Sequence, residues 1–305
     1  MSTSRDARPQ SQHYVPVFYL KSWRDVDREL WVYERTEAGI VESRSTPKKT
    51  GCHDWLYSFG QELPWEPVIE PDVIETKHFR KLDHAASGIH RLLLTRAIRT
   101  MSNSQKKTWA RFAVSLVERS LRRLKTNDQL AHDMAANRIE FIRANSGNPQ
   151  PWDNYVKNVN LEQVARATVR RGMLQIIQSG EVRRALCNKT WLVFGFDQDT
   201  LVTSDEPVQL NFGAKADWIQ TLSLALDPRH LFMMVPKGTG EAVANHSIDF
   251  AAAYVNATMF SKAKYIYSHR KLGDWYPLLR DGLDKYFGTA QHPGFTHITV
   301  KPPGA

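Results

Sequence analysis

Cysteine is scarce. Cys52 and Cys187 are the only two in 305 residues, too few for a disulfide framework or a zinc knuckle, so a reducing cytoplasm is the default compartment. Long apolar runs are also missing. The longest candidate, around Ile248 to Phe260, is interrupted by Asp249 and Asn256, whereas a spanning helix needs roughly 18 apolar residues; no membrane partner is expected. The opening residues lack a cationic segment followed by an apolar stretch, so they do not read as a targeting sequence. A His-Glu-x-x-His zinc helix, a Gly-x-Ser-x-Gly elbow, a phosphate-binding glycine loop and a Gly-x-Gly-x-x-Gly fingerprint are absent. His78, His84 and His90 are spaced by six, which sets successive rings about 120° apart around a helix, so no metal set is expected. Pro71-Asp72 with Glu75-Thr76-Lys77 spells a nuclease-like string, but all of it falls within about one turn of a predicted helix, and it is set aside. No cofactor follows from these residues.

What is present is globular. Hydrophobic residues make up 42% and aromatics 10%, more than a disordered chain carries, and the length suffices for a sizeable core. The net charge is +9 and unevenly spread. Between Arg91 and Asn145 twelve Lys or Arg face four acids, so this stretch holds nearly all the excess. A basic surface of this kind favours nucleic acid or another anionic ligand; the alternative is a pair of solvated helix faces.

Patterning divides the chain into three. Leu30–Arg35 and Ile40–Ser43 predict a hairpin closed by Gly39, and Trp55–Phe59 a third short strand. A helix capped by Asp72 is predicted from Val73 to about Ile98. Trp109, Phe112, Ala113, Leu116, Val117, Ser120, Leu121 and Leu124 then form one apolar stripe. Arg111, Glu118, Arg122 and Lys125 fall opposite it, Arg119 on its flank and Arg123 nearer its edge. Further helices are predicted from Asp128 to Ile142 and from Leu161 to about Ala185, with a loop at Asn145–Trp152 and breaks at Gly172 and Gly180. Trp191–Phe196 and Leu201–Thr203 read as a hairpin, Leu222–Leu226 and Leu231–Val235 as strands, Ser247–Ala263 as a helix and Tyr265–Ser268 as a strand. The expected fold is α+β: a helical middle packed with a mixed or antiparallel sheet built from the N-terminal and C-terminal segments. A single domain is expected over residues 12–286, with tails at 1–11 and 287–305.

Several segments carry a family resemblance. They are the opening His13-Tyr14-Val15-Pro16-Val17-Phe18-Tyr19-Leu20, then Leu30-Trp31-Val32-Tyr33, Ser45-Thr46-Pro47-Lys48 and Trp55-Leu56-Tyr57. Val202-Thr203-Ser204-Asp205-Glu206-Pro207-Val208, Leu226-Asp227-Pro228, Val255-Asn256 and Tyr267-Ser268 follow. In order and spacing they resemble a mostly bacterial family, domain of unknown function 4238. Arg119 falls where that family has an Arg followed by Thr-Pro; here Ser120-Leu121 follow. Asp227 stands where the family has Ser. The family carries no assigned activity.

Ser204-Asp205-Glu206-Pro207, at the end of a predicted strand, is the best site candidate. Asp205 is read as a base, a metal ligand or an orienter of a histidine, or else as an acid bracing its own turn. His13 is either a general base or a hydrogen-bonding residue at the core edge. Arg119 would hold an anionic group. Asn256 would bind substrate or hold a loop carbonyl. The functional expectation is a hydrolase or nuclease acting on an anionic substrate, with His13 and Asp205 catalytic, Arg119 and Asn256 substrate-binding, and His13 within reach of Asp205 or Asn256. The alternative is a non-catalytic nucleic-acid or protein-binding module using the basic helices of residues 91–143. A third reading makes these polar residues braces of the sheet.

Overall fold

The computed structural model describes residues 11–58, 73–145, 147–148, 150–212, 219–245 and 248–273. The expected tail at 287–305, all but Ser11 of the tail at 1–11, Phe59 of the third predicted strand and the predicted cap Asp72 lie outside them.

The two ends of the chain share a four-stranded sheet, and a separate two-stranded sheet lies at the start of the chain. Strand β1 (Ser11–His13) pairs antiparallel with β4 (Cys52–Asp54) and leads into a helical turn, α1 (Val17–Leu20). Strands β2 (Leu30–Thr36) and β3 (Gly39–Ser45) form the expected hairpin, with Gly39 at φ 119°, a backbone region open to glycine. Strand β10 (Tyr265–Ser268) adds to β2 and takes β6 (Thr203–Ser204) on its far edge, giving the antiparallel order β3-β2-β10-β6. Trp55–Tyr57, expected as a strand, is a turn. Trp55 sits at φ 54°, which breaks an extended run.

The middle is helical. A π-helical turn, Ile74–Phe79, runs into α2 (Arg80–Leu94). Helix α3 (Asn103–Glu118) opens with a reciprocal capping box between Ser102 and Gln105. Helix α4 (Leu121–Asn145) follows, then α5 (Gln150–Asn158), α6 (Leu161–Gln178) and α7 (Gly180–Cys187). The single stripe from Trp109 to Leu124 is therefore two helices, broken at Arg119-Ser120. The Ser120 hydroxyl accepts from Arg123 N–H at 3.3 Å, so Ser120 caps α4 and Leu121 takes its first position. A Thr-Pro pair suits the same place, Thr as cap and Pro as first residue; Ser-Leu achieves the break without the proline. At the break Glu118, expected opposite the stripe, and Arg119, expected on its flank, are both buried. The predicted break at Gly172 does not occur, whereas the one predicted at Gly180 does, where Ser179 caps α7. Helix α5 also starts inside the predicted Asn145–Trp152 loop.

A second antiparallel sheet has the order β5-β9-β8-β7, from β5 (Thr190–Gly195), β7 (Val208–Phe212), β8 (Ile219–Asp227) and β9 (His230–Val235). The expected pairing of Trp191–Phe196 with Leu201–Thr203 does not form. Strand β5 pairs along its whole length with β9, a longer ladder than two or three residues offer, and β6 goes to the other sheet. Helices α8 (Gly240–Asn245) and α9 (Ile248–Lys262) precede β10. One buried cluster joins the layers, with Tyr19 and Trp23 near the start, Trp109 and Phe112 from α3, and Phe232, Phe260 and Ile266 from the last third. The class is α+β.

Candidate functional site

Gly51 sets the opening motif in place. Its carbonyl accepts from Tyr14 N–H at 2.9 Å and Val15 N–H at 3.1 Å. Its φ is +65°, and a Cβ there would lie 2.8 Å from Val15 Cβ, so only glycine fits this close approach. Gln12, fully buried, accepts from Tyr57 N–H at 2.6 Å. The Tyr57 hydroxyl donates to the His13 carbonyl at 3.0 Å. His13 is thereby held at the core edge, with Nε2 3.1 Å from the Lys48 carbonyl. A carbonyl only accepts, so Nε2 carries the hydrogen and Nδ1 keeps its lone pair. Burial holds the ring's pKa below 6.5, so His13 is neutral at pH 7. The nearby Asp83 raises it and Arg119 lowers it further.

Arg119 anchors this cluster. Its side chain is wholly buried and makes a two-pronged ion pair with Asp83, at 3.1 and 2.9 Å. Its guanidinium lies 4.9 Å from the Phe79 ring centre and 5.8 Å from that of Phe112. Burial works against the cation, but Asp83, Tyr57 and Glu75 together offset it, and the pKa is raised. The π turn brings in Glu75: Arg80 N–H reaches back to the Glu75 carbonyl, and such turns are frequent at functional sites. Burial pushes the Glu75 carboxyl up to about 7, against the pull of Arg119. Glu75 Oε2 and Arg119 Nε are both buried, and neither has a hydrogen-bond partner among the described residues.

Asp205 belongs to a different neighbourhood. Its N–H donates to the Tyr265 carbonyl at 3.1 Å, and its Oδ1 accepts from Tyr265 N–H at 3.3 Å. These bonds extend the β6–β10 ladder by one residue. Burial raises Asp205 to about 7. The Tyr14 and Tyr267 hydroxyls interact, and both feel the Asp205 charge. Consecutive residues His13 and Tyr14 thus serve two clusters. Glu206 turns elsewhere: it accepts from the Ser120 hydroxyl at 3.2 Å and from Arg122 Nε at 2.8 Å. Asn256 is buried behind the loop that leads into β6. It accepts from Val202 N–H at 3.1 Å and donates to the Thr200 carbonyl at 2.8 Å.

Of the four residues singled out from sequence, the fold puts His13 within electrostatic reach of Arg119. It sets Asp205 beside Tyr14 and commits the Asn256 amide to the chain itself. The resembling segments are one another's neighbours. Tyr19 bonds to the Thr203 hydroxyl at 2.7 Å and donates to the Ala225 carbonyl at 2.6 Å, and His90 Nε2 donates to the Leu226 carbonyl at 2.9 Å. The family described as protein of unknown function (DUF4238) matches residues 11–271. The chain belongs to that family. No curated protein and no solved structure matches it.

Glu75 and Asp83 were not among the sequence candidates. Glu75 was set aside with the nuclease-like string. Asp83 carried a usable signal: it lies four residues after Phe79 and three before Ala86, on the face that packs inward, and an acid there calls for a buried cation. Among the described residues no three His, Cys, Asp or Glu are placed to hold a metal, and no helix is long and apolar enough to cross a membrane.

Proposed function

We propose that this protein is a hydrolytic enzyme for an anionic ester, with its reaction centre at His13, Glu75, Asp83 and Arg119. The observation that carries the reading is the pair of buried, unpartnered atoms Glu75 Oε2 and Arg119 Nε in one electrostatic cluster. An orphan acceptor and an orphan donor in one electrostatic cluster suit a hydroxyl or water, which can both donate and accept. A carboxyl near 7 is divided between acid and base at neutral pH, the condition in which proton transfer is most useful. In the proposed step Glu75 takes a proton from water as the water oxygen bonds to the ester's central atom. The bond to the leaving oxygen breaks, and that oxygen takes the proton back from Glu75. Arg119, kept charged and oriented by Asp83, offsets the negative charge on the substrate. The Nδ1 lone pair of His13 offers a second acceptor at the less buried edge.

The basic-helix alternative draws less support, because Arg119, Arg122, Arg123 and Arg143 are each engaged in an ion pair. The test is turnover of p-nitrophenyl phosphate, bis(p-nitrophenyl) phosphate and p-nitrophenyl acetate by the parent, Glu75→Gln and His13→Gln. The expected result is turnover of an anionic ester with a rate inflection near pH 7, lost in Glu75→Gln and reduced in His13→Gln. Turnover of none of the three, or turnover that Glu75→Gln retains, overturns the proposal.

A further inference from the structure

Arg119 and Ser120 are consecutive, yet Ser120 faces a different space. A cavity of about 480 Å³ lies between the start of α4, the Ser204–Gln209 segment and the end of α9. Its volume falls in the range of small-molecule sites, roughly 300–1,000 Å³. Its lining mixes apolar side chains such as Leu116, Val117 and Met259 with the cations Arg122, Arg123 and Lys262; among the described residues Glu206 is its one acid.

The bonding around it is uneven. Arg123 is paired with Glu118 and Arg122 with Glu206. Lys262 has no partner among the described residues, which leaves the cavity an uncompensated cation. Gln209 is more than nine-tenths buried. Its amide nitrogen donates to the Glu206 carbonyl at 3.0 Å, which fixes the orientation of the amide because a carbonyl only accepts. Gln209 Oε1 has no protein partner among the described residues and is open to solvent, so it is available to a donor on a ligand. The first N–H groups of α4 add their partial positive charge at Ser120–Arg122.

We propose that this cavity binds a small organic phosphate. A monocarboxylate gains nothing by displacing Glu206 from Arg122, since it offers the same charge and the same two oxygens. A phosphate near the dianionic state carries more charge and can share Arg122 with Lys262 and the start of α4. Bare phosphate would leave the apolar wall uncovered, so the ligand carries an organic body, and a hydroxyl or N–H on that body can donate to Gln209 Oε1. This site is separate from the reaction centre proposed above and does not depend on it.

Isothermal titration of the full chain with AMP, ribose 5-phosphate, adenosine and inorganic phosphate tests the proposal. At least one organic phosphate is expected to bind, and adenosine and inorganic phosphate at least tenfold more weakly. Tighter binding of AMP assigns the apolar wall to a base, and tighter binding of ribose 5-phosphate assigns the site to a sugar phosphate. Lys262→Ala is expected to weaken the binding about tenfold or more, and Glu206→Gln to strengthen it by freeing the Arg122 fork. Binding of neither organic phosphate, equal binding of adenosine or inorganic phosphate, or unchanged affinity in Lys262→Ala overturns the site. Weaker or unchanged binding in Glu206→Gln overturns the displacement of Glu206.

Discussion

Glu75, on the π turn, and Asp205, at the end of β6, make an instructive pair. Burial raises both carboxyls to about 7, from 4.5 and 3.8 respectively, so by titration alone they are near twins. Their bonds differ. Asp205 spends Oδ1 and its backbone N–H on Tyr265, where it lengthens a ladder between two strands. Glu75 leaves Oε2 with nothing to accept from among the described residues, and Arg119, whose charge acts on Glu75, leaves Nε with nothing to donate to. A shifted pKa reports burial. Whether the group is free for chemistry is read from its unused hydrogen-bonding capacity.

The largest effect expected around Glu75 comes from Arg119, which charges that cluster. Arg119→Met strands the Asp83 carboxylate and should cost about 3–5 kcal/mol, the usual penalty for breaking a buried ion pair. Urea unfolding measures it, and a loss under about 1 kcal/mol would mean that the pair is largely solvated.

Around Asp205 the largest expected effect comes from Asn256, which holds the loop before it. Asn256→Ala leaves the Val202 N–H and the Thr200 carbonyl without their partner and should cost about 2 kcal/mol. Unchanged stability with faster amide exchange at Val202 would instead point to water replacing the side chain.

Acidity compares the two carboxylates directly. Both have folded-state pKa values above their ordinary ones, so from about pH 4.5 to about pH 7 the folded protein holds protons that the unfolded chain releases. Stability therefore falls as pH rises through that window, and the deficit persists above it. Glu75→Gln and Asp205→Asn should each flatten that decline, on the order of 1–2 kcal/mol at pH 8 with little change at pH 4. Asp205→Asn keeps an acceptor for Tyr265 N–H, so its ladder survives. Under the proposed mechanism Glu75→Gln loses turnover and Asp205→Asn keeps it. The reverse pattern would move the reaction centre to Asp205.

The smallest effect is at the helix break. Ser120→Ala removes the α4 cap and a donor to Glu206, at about 1 kcal/mol, and thermal melts would register it as a shift of a few degrees.

The sequence by itself determined the elements whose pattern is local. The β2–β3 hairpin follows from strand-type residues around Gly39, β8–β9 from two apolar runs around Asp227-Pro228, and α9 from its alanines and polar alternation. It also determined the family, because eight short segments keep their order. Tertiary structure decided which strand lies next to which, as when β6 joined β10 instead of β5; edge pairing depends on groups far apart in the chain. It decided that Asn256 faces a loop, that Glu118 and Arg119 are buried beside the Ser120 break, and that His13 feels the charge of Asp83 while Tyr14 feels that of Asp205. Glu75 depended on it most. A π turn differs from an α turn by one residue of hydrogen-bond register, a small difference in local propensity, and the packing around Phe79 and Arg119 decides where such a carboxylate points.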